Sequence, residues 1–134
     1  MTGMPIVDAC MREMNETGYM PSQGRQIVAS YLSMDLRQDW RFGAAYFEEM
    51  LIDYDVHSNT AGWAYASGLG PGTIFTYSTI AQSQAHDKKG TYIRNWCPEL
   101  AQVPDDYIHD PWNIPPLMQK KFGLKIKFYD PSLR

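Results

Sequence analysis

Apolar residues recur every three to four positions through most of the first fifty residues, the spacing of one helical face. In PIVDACMREMNETG, Val7, Cys10, Met11 and Met14 share a face, Pro5 suits a first helical turn and Gly18 suits a stop. RQIVASYLSMDL repeats the pattern through Ile27, Val28, Tyr31 and Leu32. DWRFGAAYFEEMLIDY does so through Trp40, Ala44, Phe47, Leu51 and Tyr54, with Asp39 placed to cap it. The pattern predicts three amphipathic helices on short loops, an all-α layered arrangement.

The periodicity fades after residue 55. Residues 56–86 contain no Asp, Glu, Lys or Arg and are rich in Gly, Ser, Thr and Ala, with GLGPG as a turn cluster. A tightly packed turn and a short helix are expected there. GTYIRNWCPEL predicts a further short helix, opened by Gly90 and stopped near Pro98, and PDDYIHDPWNIPP predicts a proline-punctuated extended segment. Only LKIKFY, residues 124–129, carries a weak strand-like alternation.

Composition adds bounds. With 134 residues, 44% hydrophobic and 20% charged, the chain fits one globular domain with a real core. Apolar runs are short and broken by charge, which is neither a membrane span nor a secretory signal. The expected setting is therefore a soluble intracellular one, in cytoplasm, nucleus or organelle. Net charge is −3, with 7 Lys and Arg against 14 Asp and Glu in residues 1–119, and 5 against 1 in residues 120–134. That balance argues against a nonspecific nucleic-acid binder, and KKFGLKIKF reads as a solvated basic end. Cys10 and Cys97 lack metal-ligand spacing and predict free thiols. Asn15-Glu16-Thr17 matches a glycosylation sequon by chance, since no secretory signal accompanies it.

Candidate chemistry concentrates in LIDYDVHSNTAGWAYASG, residues 51–68. Asp53, Asp55 and His57 alternate as in the opening of a calcium loop. Such a loop also needs Gly at its sixth position and an acid at its twelfth, where this chain has Ser58 and Ala64. No second histidine lies at helical spacing for a transition metal, so no metal site is expected. His57, His86 and His109 are scattered, and no G-x-S-x-G sequence offers a nucleophile. A pocket wall remains. Asp53 and Asp55 are expected to close the third helix, where a partly buried carboxylate needs a cation or donors, and Arg25 is the candidate partner. The small-residue segment that follows would let a planar ligand approach the backbone, with Trp40, Trp63 and Tyr65 around it. On spacing alone, plain core is the favoured reading of these aromatics.

TGMPIVDACMREMNETGYM, GRQIVASYL, DWRFGAAYFEEMLIDYDVHSN and GWAYASGLG, in this order from Thr2 to about Trp112, resemble the flavin-binding helical domain of the cryptochrome/DNA photolyase family. GRQIV and DYDVHSN look most like its DASH-type cryptochromes. The resemblance implies an all-α, bundle-like part of that domain over residues 1–112, a C-terminal tail over 113–134, and FAD as cofactor. It matches Asp53 and Asp55 to the acids that contact the cofactor and Asn59 to the residue facing the protonatable flavin nitrogen. Arg25 matches the arginine that pairs with the first acid, and Tyr19 an aromatic beside the pocket. Trp63 and Trp40 match the inner members of an electron-carrying tryptophan chain, and Gln82 a DNA-contacting glutamine. The implied activity is light-driven electron transfer for pyrimidine-dimer repair.

Departures from the family pattern open alternatives. Ser22 and Gln23 stand in MPSQGRQ where the family usually has Asn-Arg, which removes a cationic phosphate contact and weakens damaged DNA as a partner. Tyr65 replaces a frequent tryptophan. Met1 corresponds to a position deep inside the family's flavin domain. The antenna domain, the phosphate-binding Ser/Thr loop and the outermost tryptophan are therefore expected to lie outside this chain, with a second polypeptide as a possible completion of the pocket. The rival expectations are a blue-light photoreceptor without repair activity and a non-enzymatic helical interaction module.

Overall fold

The computed structural model describes residues 2–70, 78–123 and Tyr129, and every described element is helical or a turn. α1 (Pro5–Thr17) starts at its proline, and the chain leaves it through Gly18 at φ 72°, where the Gly18 N–H donates to the Met14 carbonyl. α2 (Ser22–Ser30) runs directly into one π-helical turn, Tyr31–Asp35. α3 (Trp40–Met50) is capped by Asp39, whose carboxylate accepts from the Arg41 N–H at 2.9 Å. That bond holds the Asp39 carboxyl below its ordinary value. α4 (Val56–Ala66), α5 (Thr79–His86), α6 (Thr91–Trp96) and α7 (Pro116–Lys121) complete the helices. The all-α reading holds among the described residues.

Three local expectations need correction. Asp53 and Asp55 do not close the third helix. α3 ends at Met50, and the Leu51 N–H bonds back to the Phe47 carbonyl before the backbone turns extended. Asp53 sits in the turn, and Asp55 opens α4. The expected short helix inside residues 56–86 is two helices, α4 spanning 11 residues and α5 spanning 8. PDDYIHDPWNIPP is not extended but folds into two 3-10 turns, Asp105–Tyr107 and Pro111–Asn113. Pro104 stands just before the first turn and Pro111 opens the second, with a ring that fixes a helix-compatible φ where no N–H is needed. The helix expected in GTYIRNWCPEL is α6, entered through Gly90 at φ 66°. The strand-like LKIKFY and part of GLGPG lie outside the described residues, apart from Tyr129 and residues 68–70.

The chain divides into two compact units, Cys10–Thr79 and Met1–Ala9 with Ile80–Arg134. In the first, Met14, Met20, Ile27, Val28, Tyr31, Phe47, Leu51 and Trp63 are buried. α4 packs on both α2 and α3. α2 comes close to α1 at Gly24, where a Cβ would stand 2.9 Å from Cys10 Sγ. In the second unit, Ile93, Leu100, Val103 and Ile108 are fully buried, and a Cβ at Gly90 would meet the Ile108 side chain at 2.5 Å. The buried Tyr129 hydroxyl donates to Glu99 Oε1 at 2.9 Å; burial, with Cys97 and Glu99 beside it, pushes the phenol far up. Cys10 and Cys97 are buried and are not joined in a disulfide.

The tightest seat in the first unit lies between α3 and α4. A Cβ at Gly43 would fall 2.0 Å from Cη2 of Trp63, an approach no methyl survives without movement. Gly43→Ala should therefore lower stability by about 1–3 kcal/mol, the usual cost of overpacking. A lower urea midpoint at unchanged slope would show this; an unchanged midpoint would mean that the indole shifts freely.

Candidate functional site

Five of the sequence-derived site residues meet at one cleft. Its volume is about 380 Å³, and it lies wholly within the Cys10–Thr79 unit. α2 contributes Ser22, Arg25, Gln26 and Ala29 to its wall, α3 contributes Phe47, and the turn after α3 contributes Leu51, Asp53 and Tyr54. Asp55 and the α4 residues Ser58, Asn59, Gly62 and Trp63 form the remaining side.

Arg25 is fixed from three directions. Its terminal Nη2 donates to both Asp53 oxygens at 2.9 and 2.8 Å, and its Nε donates to the Met20 carbonyl at 2.7 Å. Its guanidinium also lies 5.6 Å from the centre of the Tyr19 ring, a cation–π distance. Arg25 and Asp53 side chains are 29% and 46% exposed, so the pair is half-solvated. Such a pair adds little stability by itself but aims a cation at the cleft.

Asp55 begins α4 as its N-cap and accepts from the Ser58 N–H at 2.8 Å. That backbone bond is the first cause of a carboxyl held below its ordinary value, with the His57 side chain a smaller one. Asn59, one turn into α4, donates from Nδ2 to the Ala44 carbonyl of α3 at 2.9 Å. An N–H is required opposite a carbonyl, so this bond fixes the amide's orientation and leaves the Asn59 carbonyl oxygen as an acceptor. Partial desolvation, then the neighbouring Glu48 carboxylate, push the Tyr54 phenol up.

Trp63 is 3% exposed, and its ring meets Phe47 edge-to-face with centroids 4.9 Å apart. Its indole Nε1 is buried without a hydrogen-bond partner among the described residues. A buried donor of that kind costs free energy unless a ligand or water meets it. Trp40, at the start of α3, is half-buried and does not line the cleft; the Arg41 guanidinium stands 5.6 Å from its ring. Tyr19 reaches the site only through Arg25. Gln82 is on α5, outside this unit's cleft. Tyr54, Ser58 and Gly62 line the cleft without having been singled out by sequence. D-x-x-S at 55–58 was the available signal for a cap. Among the described residues, no cluster of three His, Cys, Asp or Glu side chains could hold a metal ion.

The family model for the FAD-binding domain of DNA photolyase matches residues 1–132. The chain belongs to that family. The chain is 50% identical over 127 residues to a DASH cryptochrome from Synechocystis sp., covering 93% of this chain and 26% of the relative. It is 45% identical over 128 residues to a deoxyribodipyrimidine photo-lyase from Alkalihalophilus pseudofirmus, covering 93% and 27%. The crystal structure of a Synechocystis sp. cryptochrome superposes with a TM-score of 0.88 at 50% identity, over 92% of this chain and 26% of that one. The chain thus spans about a quarter of the length of the curated relatives it matches.

The family's cofactor, FAD, fits the donor set of the cleft. A flavin dinucleotide presents anionic phosphates and flat rings bearing polar edges. The cleft presents a cation at Arg25, amide and hydroxyl groups at Asn59 and Ser58, and an orphaned indole N–H at Trp63. No described helix is long and apolar enough to cross a membrane.

Asn59→Asp places a carboxylate oxygen against the Ala44 carbonyl in place of a donor and should cost about 1–3 kcal/mol; denaturation at neutral pH checks it, and wild-type stability would refute the bond. Because the folded-state value of Asp55 lies below its ordinary 3.8, its stabilising contribution is full above that pH and is lost as pH falls through the lowered value. Asn is also a good cap but does not titrate. Asp55→Asn should therefore lose less stability than wild type on acidification below about pH 4. Parallel acid-denaturation curves for the two proteins would contradict the assignment.

Proposed function

We propose that this chain forms one helical wall of an FAD site in a light-driven flavoprotein of the photolyase/cryptochrome family. The observation that carries this reading is the convergence of Arg25, Asp53, Asp55, Asn59 and Trp63 on one cleft, in a chain of the FAD-binding family. When bound, FAD supplies light absorption and one-electron redox chemistry. Arg25, held by Asp53 and the Met20 carbonyl, supplies a fixed cation for the cofactor's polar edge or phosphates. Asn59 supplies an oriented amide that exchanges hydrogen bonds without adding charge. Trp63, buried beside the cleft, and Trp40, at the head of α3, are the electron-carrying indoles in this reading.

Repair of pyrimidine dimers in damaged DNA is the activity proposed for the whole protein, supported by the name of the Alkalihalophilus relative. Gln82 is its proposed DNA contact. A second reading, a blue-light photoreceptor without repair, is favoured by Ser22 and Gln23. Both are exposed and neutral at the start of α2, and Ser22 lines the cleft. A completing polypeptide is also proposed. Phe42, Ile52, Val56 and Leu69 of the same unit are 73%, 82%, 52% and 68% exposed, and such a partner would cover apolar side chains of this kind.

The test adds FAD to the purified chain, removes the excess, and records absorption before and after blue light with an external reductant. Retained flavin that is photoreduced is expected. Arg25→Ala should weaken FAD binding about tenfold, the scale of one charge-assisted hydrogen bond. Trp63→Phe should keep the flavin and lose most photoreduction. Absence of any saturable flavin binding would overturn the reading.

A further inference from the structure

Arg41 makes two bonds to one carboxylate. Its backbone N–H donates to Asp39 Oδ1 at 2.9 Å, which caps α3, and its Nη1 donates to Asp39 Oδ2 at 3.1 Å. The side chain is thereby folded back across its neighbour, and the guanidinium stands over the Trp40 ring, 5.6 Å from its centroid. The cap needs only the N–H, which every residue but proline supplies, so capping does not explain the cation on the indole. Nor does the cleft, whose wall Arg41 does not join.

The ion pair itself adds little stability, since the Arg41 and Asp39 side chains are 74% and 43% exposed. Its effect on the indole is of another kind. A guanidinium over an aromatic face is attracted to the neutral ring by the ring's quadrupole. A ring that has lost an electron is itself a cation, and the same contact becomes like-charge repulsion. The neutral state of Trp40 is therefore favoured over the oxidised one, by an amount that water and salt reduce but do not cancel.

The two indoles proposed as electron carriers differ in this respect. Trp63 is 3% exposed, and among the described residues no cation stands over its ring. Burial disfavours a positive ring at Trp63, whereas water reaches the half-buried Trp40 and favours one there. Under solvation alone, a positive charge arriving at Trp40 stays. Arg41 opposes that preference.

We infer that Arg41 is a positioning residue: it holds a cation over Trp40 and raises the potential at which this indole gives up an electron, which makes Trp40 a relay and not a trap. The inference rests on the reading of Trp40 as an electron carrier. One electron passes from the Trp40 ring to an oxidised Trp63 ring. Trp40 is left as a radical cation that keeps its N–H proton, and one electron from an external reductant restores it.

The experiment compares wild type, Arg41→Gln and Arg41→Lys. Glutamine keeps the capping N–H and leaves the Asp39 carboxylate unopposed beside the indole, while lysine keeps the charge. Without flavin, each chain is illuminated with an uncharged quinone as one-electron photo-oxidant, and oxidised Trp40 is counted by peptide mass spectrometry against Trp112. Glutamine should raise Trp40 oxidation about threefold at low salt, the scale of one exposed cation–π pair. Lysine should stay near wild type, and rising salt should bring wild type toward the glutamine variant. Equal Trp40 oxidation in wild type and Arg41→Gln at low salt would overturn the inference. So would a difference that salt leaves unchanged, which would show that the side chain merely shields the ring. The same variants loaded with FAD then test the reading beneath it: photoreduction should change with Arg41→Gln at unaltered FAD affinity. An unchanged rate, or no flavin bound by wild type, would sink the electron-carrier reading while the quinone result still decides the charge effect.

Discussion

The cleft depends on one steric arrangement, the Trp63 indole seated on the bare backbone of Gly43. That seat draws α4 against α3 closer than any other residue at position 43 would allow. Phe47, one turn further along α3, closes on the same ring edge-to-face. The Asn59 amide then reaches the Ala44 carbonyl one residue from the seat. A side chain at 43 would push α4 away and break both contacts. The apolar packing and the polar orientation of the site therefore have a common origin, and neither is adjustable without the other.

The charged part of the site is built by different means. Arg25 and Asp53 come from α2 and from the turn after α3, and their pairing ties that turn to α2. The Ile52 N–H donates to the Gly18 carbonyl at 2.9 Å, which fixes the same turn to the end of α1. With the turn held, Asp55 is delivered at the start of α4 as its cap. The carboxylate accepts from a backbone N–H, which holds its pKa below the ordinary value without a buried counter-ion. The result is a half-solvated cleft with one aimed cation, one fixed amide and one dry indole.

Much of this was legible in the chain. α1 and α3 follow from 3.6 periodicity with Pro5, Gly18 and Asp39 as boundaries; charge complementarity offers Arg25 to the acid pair, and the resemblance selects Asp53. The end of α3 was not legible, because Leu51 and Tyr54 continue the apolar spacing past the point where the backbone turns. α4 carries no Asp, Glu, Lys or Arg on any side, so no amphipathic stripe announces its full length. The 3-10 turns at Asp105–Tyr107 and Pro111–Asn113 look extended in sequence since proline suits both conformations. Membership of the cleft by Gly62 depends on which side of α4 faces α2, and that of Tyr54 on the path of the turn after α3, tertiary facts that single residues do not carry. The role of Trp63 came from resemblance, and its seat on Gly43 came only from the fold.

If the cleft formed by α2, α3 and α4 receives the flavin, the indole N–H of Trp63 is its most direct reporter. Proton–nitrogen correlation spectra of the ¹⁵N-labelled chain, recorded during FAD titration, resolve the four tryptophan side chains. A shift of the Trp63 indole signal that saturates with FAD, while Trp96 and Trp112 of the other unit stay in place, is the predicted result. An unmoved Trp63 signal at FAD concentrations that shift other residues would contradict the account and place the cofactor elsewhere.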